Sequence, residues 1–315
     1  MLEKEDRWLR ETYVDLLIEY AAKDDRIVLL EADLSKAAGT GRFKEVYPDR
    51  LINVGIAEAN MVGVAAGMSA MGKIPFTHTF TAFATRRCCD QVTLSVAYAG
   101  LNVKLMGSDP GVTAELNGGT HMSMEDVAIM RNIPGMTIYE PVDSAQLKKI
   151  FPQILAAPGP VYIRLLRRNA VKIFDDDQTF TLGKGTMIKE GKDVTIIASG
   201  ILVAEAVKAA EALKNEGIDA EVINIHTIKP LDEEMVIASA KKTGAVVTAE
   251  NHSIIGALGG AVTECLSENY PVPVRRVGVN DHFGEVGLTV FLMEKYGLTA
   301  EHIVEEAKKA ISMKK

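Results

Sequence analysis

Hydrophobic residues follow two patterns along this chain, one typical of buried strands and one typical of helices with a single buried face. Short apolar runs, such as residues 26–31 and 161–165, predict strands of a buried sheet. Longer stretches with apolar residues three and four positions apart, such as residues 5–22, predict amphipathic helices. Because strands and helices alternate, the sheet is expected to be mostly parallel, with helices on both faces.

The alternation runs twice along the chain. The predicted strands are 26–31, 74–79, 103–106, 137–140, 161–165, 194–198, 220–225, 245–249 and 274–277. The predicted helices are 5–22, 57–70, 82–99, 124–131, 144–155, 201–216, 230–241, 257–267 and 300–311. A polar, turn-rich interval separates the two series. We therefore predict two three-layer α/β domains, residues 1–172 and 193–315, joined by a linker at residues 173–192.

The charge and composition disfavour several classes of protein. Hydrophobic residues make up 47% and charged residues 24% of the chain, which is ordinary for a soluble globular protein. A net charge of -7 without a long basic run disfavours nucleic acid as a partner, and no apolar run is long enough to span a membrane. Three cysteines cannot form a disulfide framework, and the first residues lack the apolar core of a signal peptide. We expect a cytoplasmic protein.

One carboxylate stands where an apolar helix begins. Glu58 lies at the start of the predicted helix 57–70, whose other residues are mostly apolar or glycine. Burying a carboxylate there is unfavourable unless the group is hydrogen-bonded or neutral, and such a conflict is typical of a functional site. Taken alone, Glu58 is better explained as an acid that is stabilised by the free N–H groups of a helix N-terminus, and only the surrounding segment favours a functional role.

Two aromatic residues and a histidine are further candidates. Phe80 and Phe83 follow the predicted strand 74–79 and lie three residues apart, which places them on one side of a helical turn. His121 follows Gly118-Gly119-Thr120, where a flexible backbone can bring a side chain close to a ligand. Core packing is the alternative for the two phenylalanines. Their position after a strand favours a ligand site, because such sites form at the carboxyl ends of parallel strands.

Several segments of the chain together resemble the transketolase family of thiamine-diphosphate enzymes. They are residues 53–68, 80–87, 90–91, 118–121, 125–126, 133–136, 141–143 and 227–232. The first predicted domain resembles the pyrimidine-binding domain of that family and the second its C-terminal domain. The resemblance extends over nearly the whole chain. It implies ketol transfer from a ketose to an aldose, with thiamine diphosphate as the cofactor and small sugars as substrates.

The resemblance also implies a role for each candidate near the cofactor. In the family, a glutamate at the position of Glu58 hydrogen-bonds N1′ of the cofactor pyrimidine and promotes its imino form. Aromatic residues at the positions of Phe80 and Phe83 contact the pyrimidine ring. A histidine at the position of His121 binds substrate and takes part in proton transfer, and an aspartate at the position of Asp33 lies in the active site.

Four residues concern the substrate. Arg10 and Arg167 match arginines that bind the phosphate of sugar-phosphate substrates, a task suited to the planar fork of donors on a guanidinium group. The neighbouring Arg168 is interpreted as a surface residue, and Arg164 is left without a role. Asp109 and Asn117, the other two substrate residues, depart from the family pattern.

The substrate half of the site therefore differs from that of the usual sugar-phosphate enzymes. The family usually has a histidine at the position of Asp109 and an aspartate at that of Asn117, and it has serine and glutamine where this chain has Ala37 and Met122. An acid at position 109 repels a nearby phosphate, whereas a histidine attracts it. We expect a ketose other than the usual pentose phosphates, with a different anionic group such as a sulfonate.

The family's metal-binding segment has no counterpart in this sequence. Transketolases bind Mg²⁺ and the cofactor diphosphate through Gly-Asp-Gly followed by an asparagine, and the start of this chain already aligns with the pyrimidine-binding domain. We therefore expect the C-terminal subunit of a split transketolase, which itself supplies no metal ligand. A separate N-terminal subunit supplies the Mg²⁺ ligands, and two copies of each form a heterotetramer.

Two alternatives stay open at this point. The β subunit of a 2-oxo acid dehydrogenase E1 component shares the architecture and the catalytic glutamate, but residues 119–121 and 125–126 match transketolases better. A non-catalytic structural or regulatory paralogue is the second alternative, because of the departures at Asp109 and Asn117. In the second domain, residues 256–260 form a glycine-rich turn that only weakly resembles a phosphate-binding loop, and His252 is given no role.

Overall fold

The computed structural model describes residues 2–314 as an α/β protein with two mostly parallel sheets. The strands are β1 (Ile27–Glu31), β2 (Leu51–Asn53), β3 (Ile74–Phe80), β4 (Lys104–Ser108), β5 (Thr137–Tyr139), β6 (Val161–Leu165), β7 (Thr186–Lys189), β8 (Val194–Ala198), β9 (Ala220–Asn224), β10 (Thr227–Lys229), β11 (Val246–Ser253) and β12 (Val274–Val279). The helices are α1 (Leu9–Ala21), α2 (Ser35–Ala38), α3 (Gly41–Val46), α4 (Glu58–Ala70), α5 (Thr81–Ala84), α6 (Cys89–Gln91), α7 (Asp126–Arg131), α8 (Ser144–Ala156), α9 (Leu202–Asn215), α10 (Glu233–Thr243), α11 (Leu258–Asn269), α12 (Thr289–Tyr296) and α13 (Ala300–Ser312).

The first sheet has seven strands in the order β10-β5-β6-β4-β3-β1-β2. All its neighbouring pairs are parallel except β10 with β5. Alternate residues of β1 enter different cores, because successive side chains of a strand point to opposite faces. Leu29 packs in the core that includes α1 and α8, and Leu30 packs in the core that includes α4. Helices therefore cover both faces, as predicted.

The second sheet has five strands in the order β12-β11-β8-β9-β7, and only its edge strand β7 is antiparallel. Residues of α9 and α13 share one core with this sheet, whereas residues of α10 and α11 form a separate core against its other face. The three-layer arrangement is thus repeated. Within residues 2–314, none of the helices combines the length and the apolar character needed to cross a bilayer.

Several local predictions were wrong. The helix predicted at residues 5–22 begins only at Leu9. The helix predicted at residues 82–99 is divided into α5, α6 and a π-helical segment, Val92–Tyr98. Two 3₁₀-helical segments, Pro48–Arg50 and Gly111–Asn117, were not predicted. The interval predicted as a linker contains β7, which belongs to the second sheet.

A three-residue strand from the second half of the chain completes the first sheet. β10 pairs antiparallel with β5, with Thr227 opposite Tyr139 and Lys229 opposite Ile138. The sequence predicted neither β10 nor this pairing. The two halves therefore share a sheet as well as a core, and the domain boundaries at residues 172 and 193 stay predictions.

A buried arginine also joins the two halves. Arg164 is fully buried on β6 and donates hydrogen bonds to the carboxylates of Asp126 and Glu140. It also donates to the backbone oxygen of Asn251, 2.7 Å away on β11. The side chain of Asn251 in turn donates to the carbonyl of Pro110. Arg164, which the sequence left without a role, thus fixes the loop after β4 against the second sheet.

Candidate active site

Most candidate residues lie at the carboxyl edge of the first sheet. Phe80 ends β3, Asp109 follows β4, and Arg167 follows β6, and these three strands are neighbours. The carboxyl ends of parallel strands meet at one edge, which is where ligand sites of open α/β sheets form. Five contacts connect Glu58 at one end of this edge with Asp109 at the other.

Three rings form an aromatic wall, which we define as Phe80, Phe83 and His121. The ring centroids of Phe80 and Phe83 are 6.0 Å apart, and His121 lies 6.0 Å from Phe80 and 5.0 Å from Phe83. The hydroxyl of Thr120 is 2.9 Å from Nδ1 of His121, which holds the imidazole in place. The structure thus brings together three of the residues that the sequence singled out.

Glu58 lies beside this wall. It is the first residue of α4, and its side chain is only 3% exposed. Nη1 of Arg87 donates a hydrogen bond to its Oε1 over 2.8 Å, and the Arg87 guanidinium also lies 3.6 Å from the centroid of the Phe83 ring. Arg87 belongs to the segment 80–87 that carried the family resemblance, but it was not among the residues predicted to have a function.

The two predicted substrate arginines lie at the opposite end of the edge. Nε of Arg167 is 3.1 Å from Oδ2 of Asp109, and its guanidinium is 5.8 Å from the centroid of the Phe80 ring. Arg10 is the second residue of α1, donates a hydrogen bond to the carbonyl of Ala37 and lies 4.3 Å from the centroid of the Trp8 ring. Arg10 therefore reaches the position where the family usually has a serine.

The electrostatics of this end are dominated by burial. Asp109 is 1% exposed and adopts a left-handed backbone conformation with φ of 56°. Burial raises its pKa from 3.8 to about 6, although the positive charges of Arg167, Arg168 and Arg10 act in the opposite direction. Burial and the neighbouring charge of Arg167 lower the pKa of Arg10.

Several polar atoms at this end are buried without a hydrogen-bond partner among residues 2–314. They are Nε of Arg10, both ring nitrogens of His78, both carboxylate oxygens of Asp109 and Nε of Arg167. Arg167 and Asp109 are close enough to form an ion pair, but their geometry is not that of a hydrogen bond. Because buried polar groups are normally paired, this concentration indicates a place prepared for a polar ligand.

His78 was missed by the sequence reasoning. It lies on β3, two residues before Phe80, and is fully buried. Burial, with the charges of Arg10 and Arg167, lowers its pKa to about 3, so the imidazole is neutral at physiological pH. The available signal was a histidine inside a strand predicted to be wholly buried.

Asp33 and Asn117, two of the predicted site residues, lie apart from the buried polar cluster, which consists of Arg10, His78, Asp109 and Arg167. Asp33 follows β1 at the same edge but is exposed, where its carboxylate accepts a hydrogen bond from the side chain of Asn53. Asn117 is also exposed, at the end of the segment Gly111–Asn117. Arg168, which we interpreted as a surface residue, is half-exposed but pairs with the buried carboxylate of Glu115.

The glycine-rich turn of the second half is already occupied by a side chain of the protein. The carboxylate of Glu250 accepts hydrogen bonds from the backbone N–H groups of Leu258 and Gly259, both over 2.8 Å, at the N-terminus of α11. The position where a phosphate would bind is thus filled. His252 is buried, 3.9 Å from the carboxylate of Asp126. Residues 2–314 contain no group of three or more His, Cys, Asp or Glu side chains that could hold a metal ion.

Comparison with protein families matches both halves of the chain. The transketolase pyrimidine binding domain matches residues 7–172, and the transketolase C-terminal domain matches residues 183–303. The 6-deoxy-6-sulfo-D-fructose transketolase subunit SqwH of Clostridium sp. (strain MSTE9) is 71% identical over 303 residues, which cover 96% of this chain and 94% of that protein. The putative transketolase C-terminal section of Methanocaldococcus jannaschii is 42% identical, with 96% of each chain covered.

A solved structure is similar over the same extent. It is described as a split gene transketolase, inactive beta4 tetramer, and is 47% identical to this chain. The TM-score is 0.90, and the match covers 98% of this chain and 99% of that one. The observed architecture is therefore that of a solved protein of nearly the same length.

Proposed function

This chain belongs to the transketolase family, and from that premise we propose that it is the C-terminal subunit of a two-subunit transketolase that uses thiamine diphosphate. We further propose that its donor substrate is a ketose with a sulfonate group, from which a two-carbon ketol unit passes to an aldose. The observation that carries the substrate proposal is the pairing of Asp109 with Arg167 in the buried polar cluster. The name of the Clostridium relative supports it.

The residues near Glu58 fit the aminopyrimidine end of the cofactor. A buried carboxylate can hydrogen-bond a ring nitrogen, and the aromatic wall beside it can pack against a flat ring. When bound, thiamine diphosphate would supply the nucleophilic carbon that adds to the carbonyl carbon of a ketose. In this proposal Glu58 shares a proton with the ring nitrogen N1′, Phe80 and Phe83 hold the ring, and His121 accepts or returns a proton at a substrate hydroxyl.

The charge at the other end suits a sulfonate. Arg10 and Arg167 carry two positive charges, and an ionised Asp109 reduces the total to one. A sulfonate carries one negative charge, whereas a phosphate monoester near neutral pH carries about 1.5 to 2. A site with a net charge of one is therefore better matched to a sulfonate. The unpaired ring nitrogens of His78 offer a further neutral donor to its oxygens.

The remainder of the cofactor site is assigned to a partner. We propose that an N-terminal subunit supplies the Mg²⁺ ligands and the contacts to the cofactor diphosphate, within a heterotetramer of two subunits of each kind. The support is the family resemblance, together with relatives of this length that are named as a subunit and a C-terminal section. The related beta4 tetramer is described as inactive, which is what we expect of this chain without its partner.

The test is a comparison of donors in the assembled enzyme. The chain is purified with its N-terminal subunit, thiamine diphosphate and Mg²⁺. Ketol transfer to ribose 5-phosphate is then measured with 6-deoxy-6-sulfofructose and with xylulose 5-phosphate as donors. We expect kcat/KM to be at least about 100-fold higher for the sulfonated ketose, because one unmatched buried charge costs several kcal/mol. Equal or higher kcat/KM for xylulose 5-phosphate would contradict the substrate proposal.

Glu58→Gln is the control for the chemistry. The variant keeps the shape of the side chain but cannot take up and return a proton at N1′. We expect it to lower kcat by at least about 1,000-fold while the circular dichroism spectrum and assembly stay unchanged. Substantial activity of this variant, or decarboxylation of pyruvate by the wild-type complex, would refute the proposed reaction.

A further inference from the structure

The guanidinium of Arg87 makes two contacts at once in the candidate active site. Its Nη1 donates a hydrogen bond to Oε1 of Glu58 over 2.8 Å, and its Cζ lies over the Phe83 ring, 3.6 Å from the ring centroid. A guanidinium is flat, delocalised and rich in N–H donors, and it stacks on aromatic faces while it pairs with carboxylates. Both partners of Arg87 are residues that the proposed function assigns to the cofactor.

An aminopyrimidine ring that binds between Glu58 and the aromatic wall needs the same two contacts. Like the guanidinium, the ring is flat, and one of its nitrogens must face the Glu58 carboxylate. We propose that Arg87 is a positioning residue that occupies the place of the cofactor's pyrimidine ring in the free chain. It holds Glu58 in position until the ring binds and displaces the Arg87 guanidinium. This inference rests on the proposed function, because it concerns the same cofactor.

The exposure of the Glu58 and Arg87 side chains indicates which of the two moves when the ring binds. The Glu58 side chain is 3% exposed and begins α4, so it has no room to follow a departing partner. The Arg87 side chain is 43% exposed, and its long stem lets the guanidinium turn into solvent without a change of backbone. The exchange is therefore a side-chain movement, in which Glu58 keeps its position and only its partner changes.

Arg87 has two opposing effects on the free chain and on cofactor binding. In the free chain it stabilises a carboxylate that would otherwise be buried without a partner. During binding it competes with the cofactor, because only molecules in which Arg87 has left are able to accept the ring. The apparent dissociation constant is raised in proportion to the fraction of molecules that are not competent. A purely structural role for Arg87 predicts the opposite, since loss of a supporting residue weakens binding.

The first measurement uses the chain alone. Thermal unfolding is recorded for wild type, Arg87→Met, Glu58→Gln and the double variant. Methionine keeps the length of the side chain but removes all donors. We expect Arg87→Met to lower Tm by about 3 °C, and the same substitution to have little effect when Glu58 is already glutamine. Arg26→Met is the matched control, because Arg26 pairs with Asp24 over 2.7 Å on the surface. It should change Tm by less than about 1 °C.

The second measurement is a titration of the assembled enzyme with thiamine diphosphate in the presence of Mg²⁺. We expect Arg87→Met to bind the cofactor about fivefold more tightly than wild type, and Arg26→Met to bind it equally well. Unchanged or weaker binding by Arg87→Met would overturn the proposal. The absence of coupling between positions 58 and 87 in the chain alone would overturn it too. If the wild-type complex does not bind the cofactor at all, the proposed function fails. The coupling between positions 58 and 87 in the chain alone then still tests whether Arg87 holds Glu58.

Discussion

Two buried carboxylates show how differently the two sheets use the same edge. Asp109 follows β4 in the first sheet, and Glu250 lies on β11 in the second. The oxygens of Glu250 accept two backbone N–H groups at the start of α11. The oxygens of Asp109 have an arginine nearby but no hydrogen bond among residues 2–314. At the edge of the second sheet the carboxylate is paired with N–H groups of the protein, whereas at the edge of the first sheet the carboxylate lacks hydrogen-bond donors within the described part of the chain.

The carboxylate of Asp109, unpaired among residues 2–314, lowers the stability of the fold, whereas the paired carboxylate of Glu250 does not. This difference indicates a functional site at Asp109. Burial raises the pKa of both carboxyls, but only Glu250 has backbone donors that act against it. An unsatisfied buried polar group costs about 1–3 kcal/mol, and a stable fold retains few of them. Their concentration around Asp109, Arg167 and His78 is therefore best explained by a ligand that completes the set. Substitutions of Asp109, Glu250 and His78 test this difference between the two carboxylates.

The largest effect is expected from Asp109→Asn. Because the folded-state pKa of Asp109 is raised from 3.8 to about 6, its contribution to stability is present below about pH 4 and is lost as the pH rises to about 6. Asparagine does not ionise, so the variant avoids that loss. We expect it to exceed wild type by about 2–3 kcal/mol in unfolding free energy at neutral pH and to equal it near pH 4. Denaturant unfolding at a series of pH values measures this.

Loss of stability in Asp109→Asn at neutral pH would contradict this contrast between Asp109 and Glu250. It would mean that Asp109 is as well satisfied as Glu250, and that the edge of the first sheet is not incomplete.

Glu250→Gln is expected to act in the opposite direction. The substitution removes the charge that faces two N–H groups of a helix N-terminus, and one amide oxygen cannot replace two carboxylate oxygens. We expect a loss of about 2 kcal/mol in unfolding free energy. Glu264→Gln is the matched control, because Glu264 lies on the same helix with its carboxylate 62% exposed and paired with Arg131. Its effect should stay below about 0.5 kcal/mol in the same denaturant titration, and equal losses in both variants would contradict the assignment.

The smallest effect is expected from His78→Leu. Leucine replaces two unpaired ring nitrogens by apolar atoms, so we expect a gain of about 1 kcal/mol in unfolding free energy. The same change removes a donor from the polar cluster, and inorganic sulfate should inhibit the assembled enzyme about threefold more weakly.

Tyr13→Phe separates the two effects of His78→Leu. The Tyr13 ring lies 5.8 Å from the His78 ring, and its hydroxyl is also buried without a partner. We expect a similar gain in stability with no change in sulfate inhibition. If sulfate inhibition is unchanged in His78→Leu as well, His78 is not part of the anion site.

The sequence predicted the parts of the fold that rest on local patterns. Long amphipathic helices such as α8 and α13, and strands with continuous burial such as β1 and β6, were predicted within a few residues. Two of the shortest strands were missed, since β2 and β10 have only three residues each and offer no periodicity. The pairing of β10 with β5 joins positions far apart in the chain, and no local pattern carries that information.

The candidate site divides in the same way. Glu58, Phe80, Phe83 and His121 were predicted because an unexpected residue type or a family pattern marked them. The structure places the three rings in contact and connects Glu58 to them through Arg87. Arg87 and His78 were missed because their importance depends on what surrounds them. An arginine after a turn and a histidine in a strand are common in sequences. Only the structure shows that one faces Glu58 and that the other has no partner.

The shared first sheet limits how such a protein can be divided among genes. Because β10 supplies the outermost strand next to β5, a chain cut within residues 173–192 would leave β5 as an open edge. Open edges pair with other chains and promote aggregation. A gene boundary at that point would therefore produce two polypeptides that depend on each other to fold. We therefore expect the two sheets to be passed on together, as one unit of evolution.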